Sequence, residues 1–390
     1  MAVFAVIFWS CLALLAWTYI GYLVLLWLLS LASRSSKPKG TSTFVSLTVV
    51  VPVFNGEATI AEKIENTIGV DYPKGKLSIL VASDGSTDFT DAIVASYADR
   101  GVRLISFGHR RGKALVTNDA IATIDSEWIL ITDADTRLAP DCLWVMAQHF
   151  QNPRVAVVDA SIVCSNERSS SVASDVGVYW RMESIMKKLE TSVGCLASTF
   201  GNSTAVRRSV YRPIEATEDI DFASPLHAIS QGYEVVHEPS ARVYDVAQAT
   251  PGAQFRARVR MVTRNFQGTL RLWPLVWSRP LVSLSIISHK LLRWLTPVLL
   301  ILALLSNVLL VTERPFRQML ALQLLFYAAG LVGAIGWRAG IPIPIASSVF
   351  SFMVANAGFL VGVVNSVRGV EITQWQTGTA VTDRAPETTG

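Results

Sequence analysis

Apolar residues are concentrated toward the two ends of the chain, outside a central region of mixed composition. Residues 2–31 contain no charged residue, and residues 295–368 are nearly as apolar. A helix that crosses a membrane needs about 20 consecutive apolar residues. We therefore predict one N-terminal transmembrane helix over residues 1–32. Three more transmembrane helices are predicted within residues 295–368, at about 295–311, 319–337 and 343–366.

The first apolar stretch also has one feature of a cleaved signal peptide, because "SLAS" before Arg34 loosely resembles a cleavage site. It lacks a basic start, however, and its apolar run is about twice the usual ~7–15 residues of a signal. We therefore favour an integral protein of the cell (inner) membrane. Residues 33–45 form a basic linker, which by the positive-inside tendency places the following domain in the cytoplasm. Four spans put the polar tail, residues 369–390, on the far side, although Arg314 and Arg317 also fall there.

Residues 271–294 mix apolar and basic positions. Their second half, "LVSLSIISHKLLRW", carries His289, Lys290 and Arg293 among apolar residues and ends at Trp294. This mixture is typical of a helix that lies along the membrane surface, with membrane lipids as its partners. We predict an interface helix in this region.

Short β-branched runs alternate with amphipathic stretches of helical length between the predicted spans. The runs lie at residues 46–54, 77–83, 102–107 and 127–132. Such alternation indicates an α/β domain with a parallel sheet and right-handed crossovers. We predict that this domain covers residues 46–270, inserted between one N-terminal and three C-terminal transmembrane helices.

Composition narrows the range of partners. The chain has 390 residues, of which 51% are hydrophobic, and a formal net charge of +4. It has no clustered basic and aromatic stretch of the kind that a nucleic-acid site needs, so nucleic acid is excluded as a partner. The four cysteines are far apart and form no C-x-x-C pair. They indicate neither a zinc site nor a disulfide framework, and they fit a reduced compartment.

Acid-bearing loops follow three of the predicted strands. They read "NGE" at residues 55–57, "DGSTD" at 84–88 and "DAD" at 133–135. A single Asp-x-Asp after a strand is often only a turn, because aspartate bonds nearby amides. Ligands bind beyond the carboxyl ends of parallel strands, where all three loops meet. The combination favours a site in which Asp133 and Asp135 hold a divalent cation.

Five motifs, in this order and at these distances, resemble the membrane-integrated family 2 glycosyltransferases. They are "VVVPVFNGE", "SDGSTD", "RRGKALVTNDAI", "DAD" and "TEDIDFA". The resemblance covers about residues 46–270 and implies the GT-A (Rossmann-like) fold and a hexosyltransferase activity. The arrangement of spans is similar to that of chitooligosaccharide, hyaluronan and poly-N-acetylglucosamine synthases.

The resemblance implies a UDP-sugar donor and Mg²⁺ or Mn²⁺ as cofactor. The diphosphate must leave as the glycosidic bond breaks, and a hard cation that neutralises it takes one or two carboxylates plus phosphate oxygens. Asp133 and Asp135 would be the metal ligands, which also makes Asp133 part of the nucleotide-sugar site.

The other donor-binding residues are likewise implied by the resemblance. Asp84 would bind the uracil or ribose, and the segment from Pro52 to Glu57 would form the other wall of that pocket. Lys113 would sit near the diphosphate. The alternative for Lys113 is a solvated charge in a Gly-Lys turn.

Asp219 of "TED" is implied as the catalytic base, with Glu218 next in line. Inversion at the anomeric carbon requires a hydroxyl to attack opposite the leaving diphosphate while it loses a proton, and a nearby carboxylate usually accepts that proton. The same letters also fit a helix N-terminus, with Thr217 as the cap and two acids at the positive end of the helix dipole. The two interpretations are compatible.

One departure from the family pattern concerns the acceptor. Polysaccharide synthases of this family usually carry Q-x-x-R-W, whose arginine meets the diphosphate and whose tryptophan lines the acceptor site. The matching region here, residues 254–265, contains no tryptophan. Arg256, Arg258 and Arg260 occupy alternate positions there, and side chains at alternate positions of a helix point in different directions. We favour Arg260 as the nucleotide-binding arginine, with Met261 in place of the tryptophan.

Three functions remain. The leading prediction is an inverting enzyme that adds sugars from a UDP-sugar to a growing polysaccharide and passes it through a channel made by its own spans. The alternative is a single sugar transfer to a membrane lipid of ceramide or polyprenyl type, which the missing tryptophan favours. The third is a catalytically inactive membrane scaffold, and the intact acidic motifs argue against it.

Overall fold

The computed structural model describes residues 1–33 and 44–372. Most of the predicted basic linker and of the polar tail lies outside the described residues. The central domain is built on one eight-stranded sheet with the strand order β3-β2-β1-β4-β7-β6-β8-β5. The strands are β1 Leu47–Val53, β2 Leu77–Ser83, β3 Val102–Ser106, β4 Trp128–Thr132, β5 Arg137–Leu138, β6 Val155–Cys164, β7 Ser203–Arg207 and β8 Glu234–Asp245.

Strands β1 to β4 confirm the predicted α/β fold class. β1 pairs in parallel with β2 and β4, and β2 pairs in parallel with β3. The sheet as a whole is mixed, because β7 runs antiparallel to both β4 and β6. The parallel part carries the three acid-bearing loops, so the mixed half does not alter the predicted position of the site.

Helices surround the sheet and extend from it at both ends of the chain. They are α1 Ala2–Ala16, α2 Tyr22–Ala32, α3 Ile60–Ile68, α4 Thr90–Ala95, α5 Lys113–Ala122, α6 Cys142–Phe150, α7 Ser171–Val193, α8 Ile220–Ser230, α9 Pro251–Leu272, α10 Pro280–Ser285, α11 Leu292–Trp294, α12 Thr296–Leu309, α13 Arg314–Arg338 and α14 Pro344–Val367. A π-helical turn, Trp17–Gly21, joins α1 to α2, and another, Ile286–Leu291, joins α10 to α11.

The sheet separates two apolar layers. β1 is buried at every position, and its side chains alternate between the layers because successive residues of a strand face opposite sides. Val49 and Val51 belong to the layer that includes α3 and α6. Val50 belongs to the other layer, which also contains Tyr22 and Leu26 of the N-terminal helix. The N-terminal helix therefore packs on one face of the central domain.

Three helices in the described part of the chain are long and apolar enough to cross a membrane: Ala2–Ala32, Arg314–Arg338 and Pro344–Val367. The span predicted at residues 295–311 differs. It is observed as α12, which has only 14 residues and is bent by 61° from the preceding segment Pro280–Trp294. Because a span needs about 20 residues, this bent pair is either a fourth, broken span or a re-entrant loop.

The basic residues of the predicted interface helix pair with α7. His289 contacts Glu190 (Nδ1 to Oε1, 2.9 Å) and Glu183 (Nε2 to Oε1, 2.8 Å). Lys290 and Arg293 reach Glu183 at 2.8 and 2.6 Å. A buried carboxylate is costly unless it is paired, so these contacts hold the segment on the central domain, and its predicted position along the membrane surface stays a prediction.

Helix α14 packs closely on α9, the helix that carries the candidate arginines. A Cβ atom at Gly358 would lie 2.7 Å from Cβ of Arg258, and one at Gly362 would lie 2.6 Å from Cβ of Val262. Small residues allow two helix backbones to approach in this way. A helix that is long and apolar enough to cross a membrane thus fixes the position of α9 beside the central domain.

Candidate active site

The loops after β1 and β2 form one hydrogen-bonded unit. The amide of Thr87 donates to Oδ1 of Asn55 at 2.8 Å, and the amide of Glu57 donates to Oδ2 of Asp88 at 3.1 Å. In return, Oε2 of Glu57 accepts from the amide of Phe89 at 3.1 Å. The carboxylate of Glu57 therefore helps to join the two loops, and its predicted contact with the nucleotide stays a prediction.

Asp84 and Pro52 lie inside the fold behind this wall. Pro52 is buried in β1. Asp84 is fully buried, and its two carboxylate oxygens accept from the amides of Arg111 at 2.6 Å and Gly112 at 3.0 Å. Asp84 thus sets the loop that leads into α5. Its predicted contact with uracil or ribose, and that of Pro52, are not tested by this geometry.

Lys113, the first residue of α5, brings that loop to the "DAD" motif. Its Nζ forms an ion pair with Oδ1 of Asp133. Burial alone would lower the pKa of Lys113, but Asp133 and the charges of Asp219 and Asp135 raise it above the ordinary lysine value. Lys113 is therefore paired with the first aspartate of "DAD" rather than free in solvent, and its predicted position near the diphosphate stays a prediction.

The residues around "DAD" fit a divalent cation. Removal from water and the charge of Asp133 raise the pKa of Asp135. Asp245, at the end of β8, was not predicted from the sequence. Burial and the charges of Asp135 and Asp133 raise its pKa to about 7, and Asn202 donates to it at 2.6 Å. Clustered carboxylate oxygens are the donors that Mg²⁺ and Mn²⁺ prefer.

The described residues contain no group of three His, Cys, Asp or Glu side chains that could hold a metal ion. A cation that binds one or two carboxylates together with the phosphates of its substrate needs no such group. The donor set provided by Asp133 and Asp135 is of that kind.

Asp219 lies where α8 begins, so "TED" does precede a helix, but the prediction that Thr217 is the cap is wrong. Asp219 occupies the N-cap position, but its side chain makes no capping hydrogen bond. Its Oδ1 instead pairs with Nη2 of Arg264 at 2.8 Å, and its side chain is 27% exposed. Glu218 is buried and accepts from Arg271 at 2.8 Å and from the amide of Glu215 at 2.8 Å. Of the two candidate bases, Asp219 is the accessible one.

Asp221, two residues further along, is a second carboxylate beside Asp219. Burial and the charge of Asp219 raise its pKa to about 7, although Lys290, Lys187 and Lys113 act in the opposite direction. The sequence analysis did not single it out. Its position after "TED" was visible, but its burial beside Asp219 was not.

The arginines of α9 have distinct roles. Arg258 is buried and stacks on Tyr179, with 4.5 Å between its Cζ atom and the ring centroid. Arg260 is exposed, and its predicted contact with the diphosphate stays a prediction. Arg264, one turn later, is 7% exposed and also donates to the carbonyl of Glu218 at 2.8 Å. The arginine at the candidate base is therefore Arg264, which the motif comparison missed.

Residues 48–212 match the family model described as "Glycosyl transferase family 2". The chain is similar to a poly-beta-1,6-N-acetyl-D-glucosamine synthase of Staphylococcus epidermidis, with 24% identity over 269 residues that cover 67% of this chain and 64% of the relative. It is also similar to a beta-monoglucosyldiacylglycerol synthase of Nostoc sp., with 25% identity over 61% of this chain and 52% of the relative. The chain thus spans less than two thirds of the length of each relative.

Among solved structures, the fold is similar to that of the mannosyltransferase PcManGT from Pyrobaculum calidifontis in complex with GDP-Man and Mn²⁺. The TM-score is 0.69 at 20% identity, and the match covers 94% of this chain and all of that one. This likeness confirms the predicted GT-A fold. Residues 48–212 therefore match the family 2 glycosyltransferases, and the domain that contains them has the GT-A fold.

Proposed function

We propose that this protein is an inverting, cation-dependent membrane glycosyltransferase whose catalytic domain faces the cytoplasm. The observation that carries the proposal is a set of four side chains: Lys113 in an ion pair with Asp133, Asp135 beside them in the "DAD" motif, and the partly exposed Asp219. It combines two carboxylates suited to a hard cation, an ammonium suited to a diphosphate and an accessible carboxylate suited to a proton.

In the proposed reaction, an acceptor hydroxyl attacks the anomeric carbon opposite the diphosphate. The new carbon–oxygen bond forms as the bond to the diphosphate breaks, and the hydroxyl proton passes to the carboxylate of Asp219. Arg264 orients that carboxylate through its 2.8 Å contact. Lys113 contributes positive charge on the side of the leaving group. Asp133 and Asp135 would hold a Mg²⁺ or Mn²⁺ ion, which when bound neutralises the charge of the diphosphate.

The donor is proposed to be a UDP-sugar, on the resemblance of the motifs. The mannosyltransferase of similar fold was solved with GDP-Man and Mn²⁺. That observation makes GDP-mannose the second donor to test, and it supports a divalent cation without deciding between Mg²⁺ and Mn²⁺.

The acceptor is proposed to be a growing polysaccharide that leaves through the membrane helices, which the similarity to a polysaccharide synthase supports. A membrane lipid is the second candidate. An apolar groove of about 430 Å³ between α1, α12, α13 and α14 favours it; residues that line the groove include Phe8, Leu12, Tyr19 and Phe326. The similarity to a glycolipid synthase and the methionine at position 261 point the same way.

One experiment tests donor and acceptor together. The protein, purified in lipid nanodiscs, is incubated with single UDP-sugars or GDP-mannose, and release of the nucleoside diphosphate is measured. Products are then separated by organic extraction and by size. A water-soluble polymer supports the polysaccharide synthase, and a lipid carrying one sugar supports the alternative. Absence of release with every donor, in a folded protein, would mean an inactive scaffold.

A further inference from the structure

A buried lysine lies directly behind the "DAD" motif. Lys63 of α3 is 1% exposed. Its Nζ donates to Oγ1 of Thr132 at 2.9 Å, to the carbonyl of Thr136 at 2.9 Å and to Oγ1 of Thr136 at 3.2 Å. An ammonium has three donors, so all of them are used on these two residues. Thr132 immediately precedes Asp133, and Thr136 immediately follows Asp135.

The same short segment is closed by further bonds around the ammonium. Oγ1 of Thr132 donates to the carbonyl of Asn202 at 3.0 Å, and Oγ1 of Thr136 donates to the carbonyl of Asp133 at 2.9 Å. Lys63 thus joins the two ends of a five-residue turn, residues 132–136, which Asn202, just before β7, also holds.

An apolar side chain would cost less at this buried position, because a buried ammonium must recover its lost hydration through contacts. Burial lowers the pKa of Lys63 to about 8, against the opposing charges of Asp133 and Asp135. The charge also repels any cation bound nearby. A lysine here is therefore unfavourable for burial and for the charge of a bound cation, although it favours the ionised forms of Asp133 and Asp135. Its three hydrogen bonds tie it to both ends of the turn.

We propose that Lys63 is a positioning residue that clamps both ends of the "DAD" turn so that Asp133 and Asp135 face one cation. The inference rests on the proposed metal role of these two aspartates. It makes a prediction opposite in sign to that of charge alone. Loss of a positive charge near a cation site should tighten cation binding, whereas loss of the clamp should weaken it.

The test measures Mn²⁺ binding in the presence of UDP, from the electron paramagnetic resonance signal of free Mn²⁺, on purified wild type, Lys63→Met, Thr136→Val and the double variant. Outer-shell partners of metal ligands typically contribute 10–100-fold in metal affinity. We expect Lys63→Met to weaken Mn²⁺ binding by about this factor. The double variant should be less affected than the sum of the single changes, because Thr136 accepts from the ammonium.

Lys187→Met is the matched control. Lys187 is also fully buried, and its ammonium donates to the carbonyl and hydroxyl of Ser198, away from the "DAD" turn. The Lys187→Met variant should have a lower melting temperature than wild type, but its Mn²⁺ affinity should stay within about twofold of wild type. Unchanged or tighter Mn²⁺ binding in a folded Lys63→Met protein overturns the inference.

A second variant covers the case in which Lys63→Met does not fold. The double change Thr132→Val with Thr136→Val removes two acceptors and keeps the ammonium, and it should weaken Mn²⁺ binding likewise; unchanged binding overturns the clamp. If wild type with UDP binds no Mn²⁺ at all, the proposed cation role fails instead. That result is distinct from a failure confined to Lys63.

Discussion

Replacement of Arg264 by methionine tests how the candidate base is held. One nitrogen of Arg264 contacts both Oδ1 of Asp219 and the carbonyl of Glu218, each at 2.8 Å. The methionine keeps much of the apolar bulk and removes both contacts. A carbonyl left without this buried partner costs ~1–3 kcal/mol. The pair with the partly exposed Asp219 adds about 1 kcal/mol after allowance for solvent.

We therefore expect Arg264→Met to fold with about 2–4 kcal/mol less stability. Its larger effect should be on the reaction, because a misplacement of about 1 Å at a reacting group can cost 10²-fold in rate. The turnover number should fall about 10- to 100-fold, while the KM for the donor stays near its wild-type value. Release of nucleoside diphosphate at varied donor concentration separates the two parameters.

Two other arginines of α9 calibrate this result. Arg256 is exposed on the same helix, and Arg256→Met should change neither turnover nor KM. Arg260→Met tests the motif-based prediction. If Arg260 contacts the diphosphate, loss of that contact should raise the donor KM. Full turnover in a folded Arg264→Met protein would refute the positioning of Asp219 by this arginine.

Three further predictions follow from the same structure. Asp135→Asn should abolish donor turnover, and excess EDTA should do the same to wild type; full activity with the chelator would remove the metal role. Asp221→Asn should be more stable than wild type at pH 8 and equal to it near pH 4, as read from melting temperatures across pH. In the folded protein the pKa of Asp221 is raised to about 7, so the stability of the wild type falls as pH rises from about 4 to 7, and the asparagine variant lacks this fall. A stability difference between the two proteins that does not change with pH would contradict the prediction. A tag after Gly390 should be accessible in intact spheroplasts if the bent pair Pro280–Trp294 and Thr296–Leu309 crosses the membrane, whereas a tag reached only after lysis means that the pair is re-entrant.

The sequence predicts the parts of this site that local pattern determines. The four parallel strands end within one residue of the predicted runs, because short β-branched runs bounded by turn residues are typical of strands. The loops at residues 55–57, 84–88 and 133–135 meet because parallel strands end at one edge. Asp133, Asp135, Asp219 and Lys113 follow from motif order.

What the sequence does not predict depends on packing between distant elements. Arg264 meets Asp219 only because α9 lies beside the start of α8. Nothing in "RMVTRN" indicates which of its two arginines lies at the candidate base. Asp245 joins the acidic cluster because β8 runs beside β6 and β5. Lys63 lies in an amphipathic helix where a lysine ordinarily points to solvent. The 61° bend before α12 has a local signal in Pro297 at the start of that helix, which disfavours helix at the residue before it and which the sequence analysis did not use.

The central claim is that Asp219 is the catalytic base, and Asp219→Asn tests it most directly. The change removes the proton acceptor and keeps the shape of the side chain. UDP binding and sugar transfer should be measured on the same purified sample, with thermal melting as the folding control. We predict that transfer is abolished through the turnover number, while the nucleotide still binds. Near-normal transfer in a folded Asp219→Asn protein would contradict the account and assign the proton to another carboxylate, with Glu218 first to be tested.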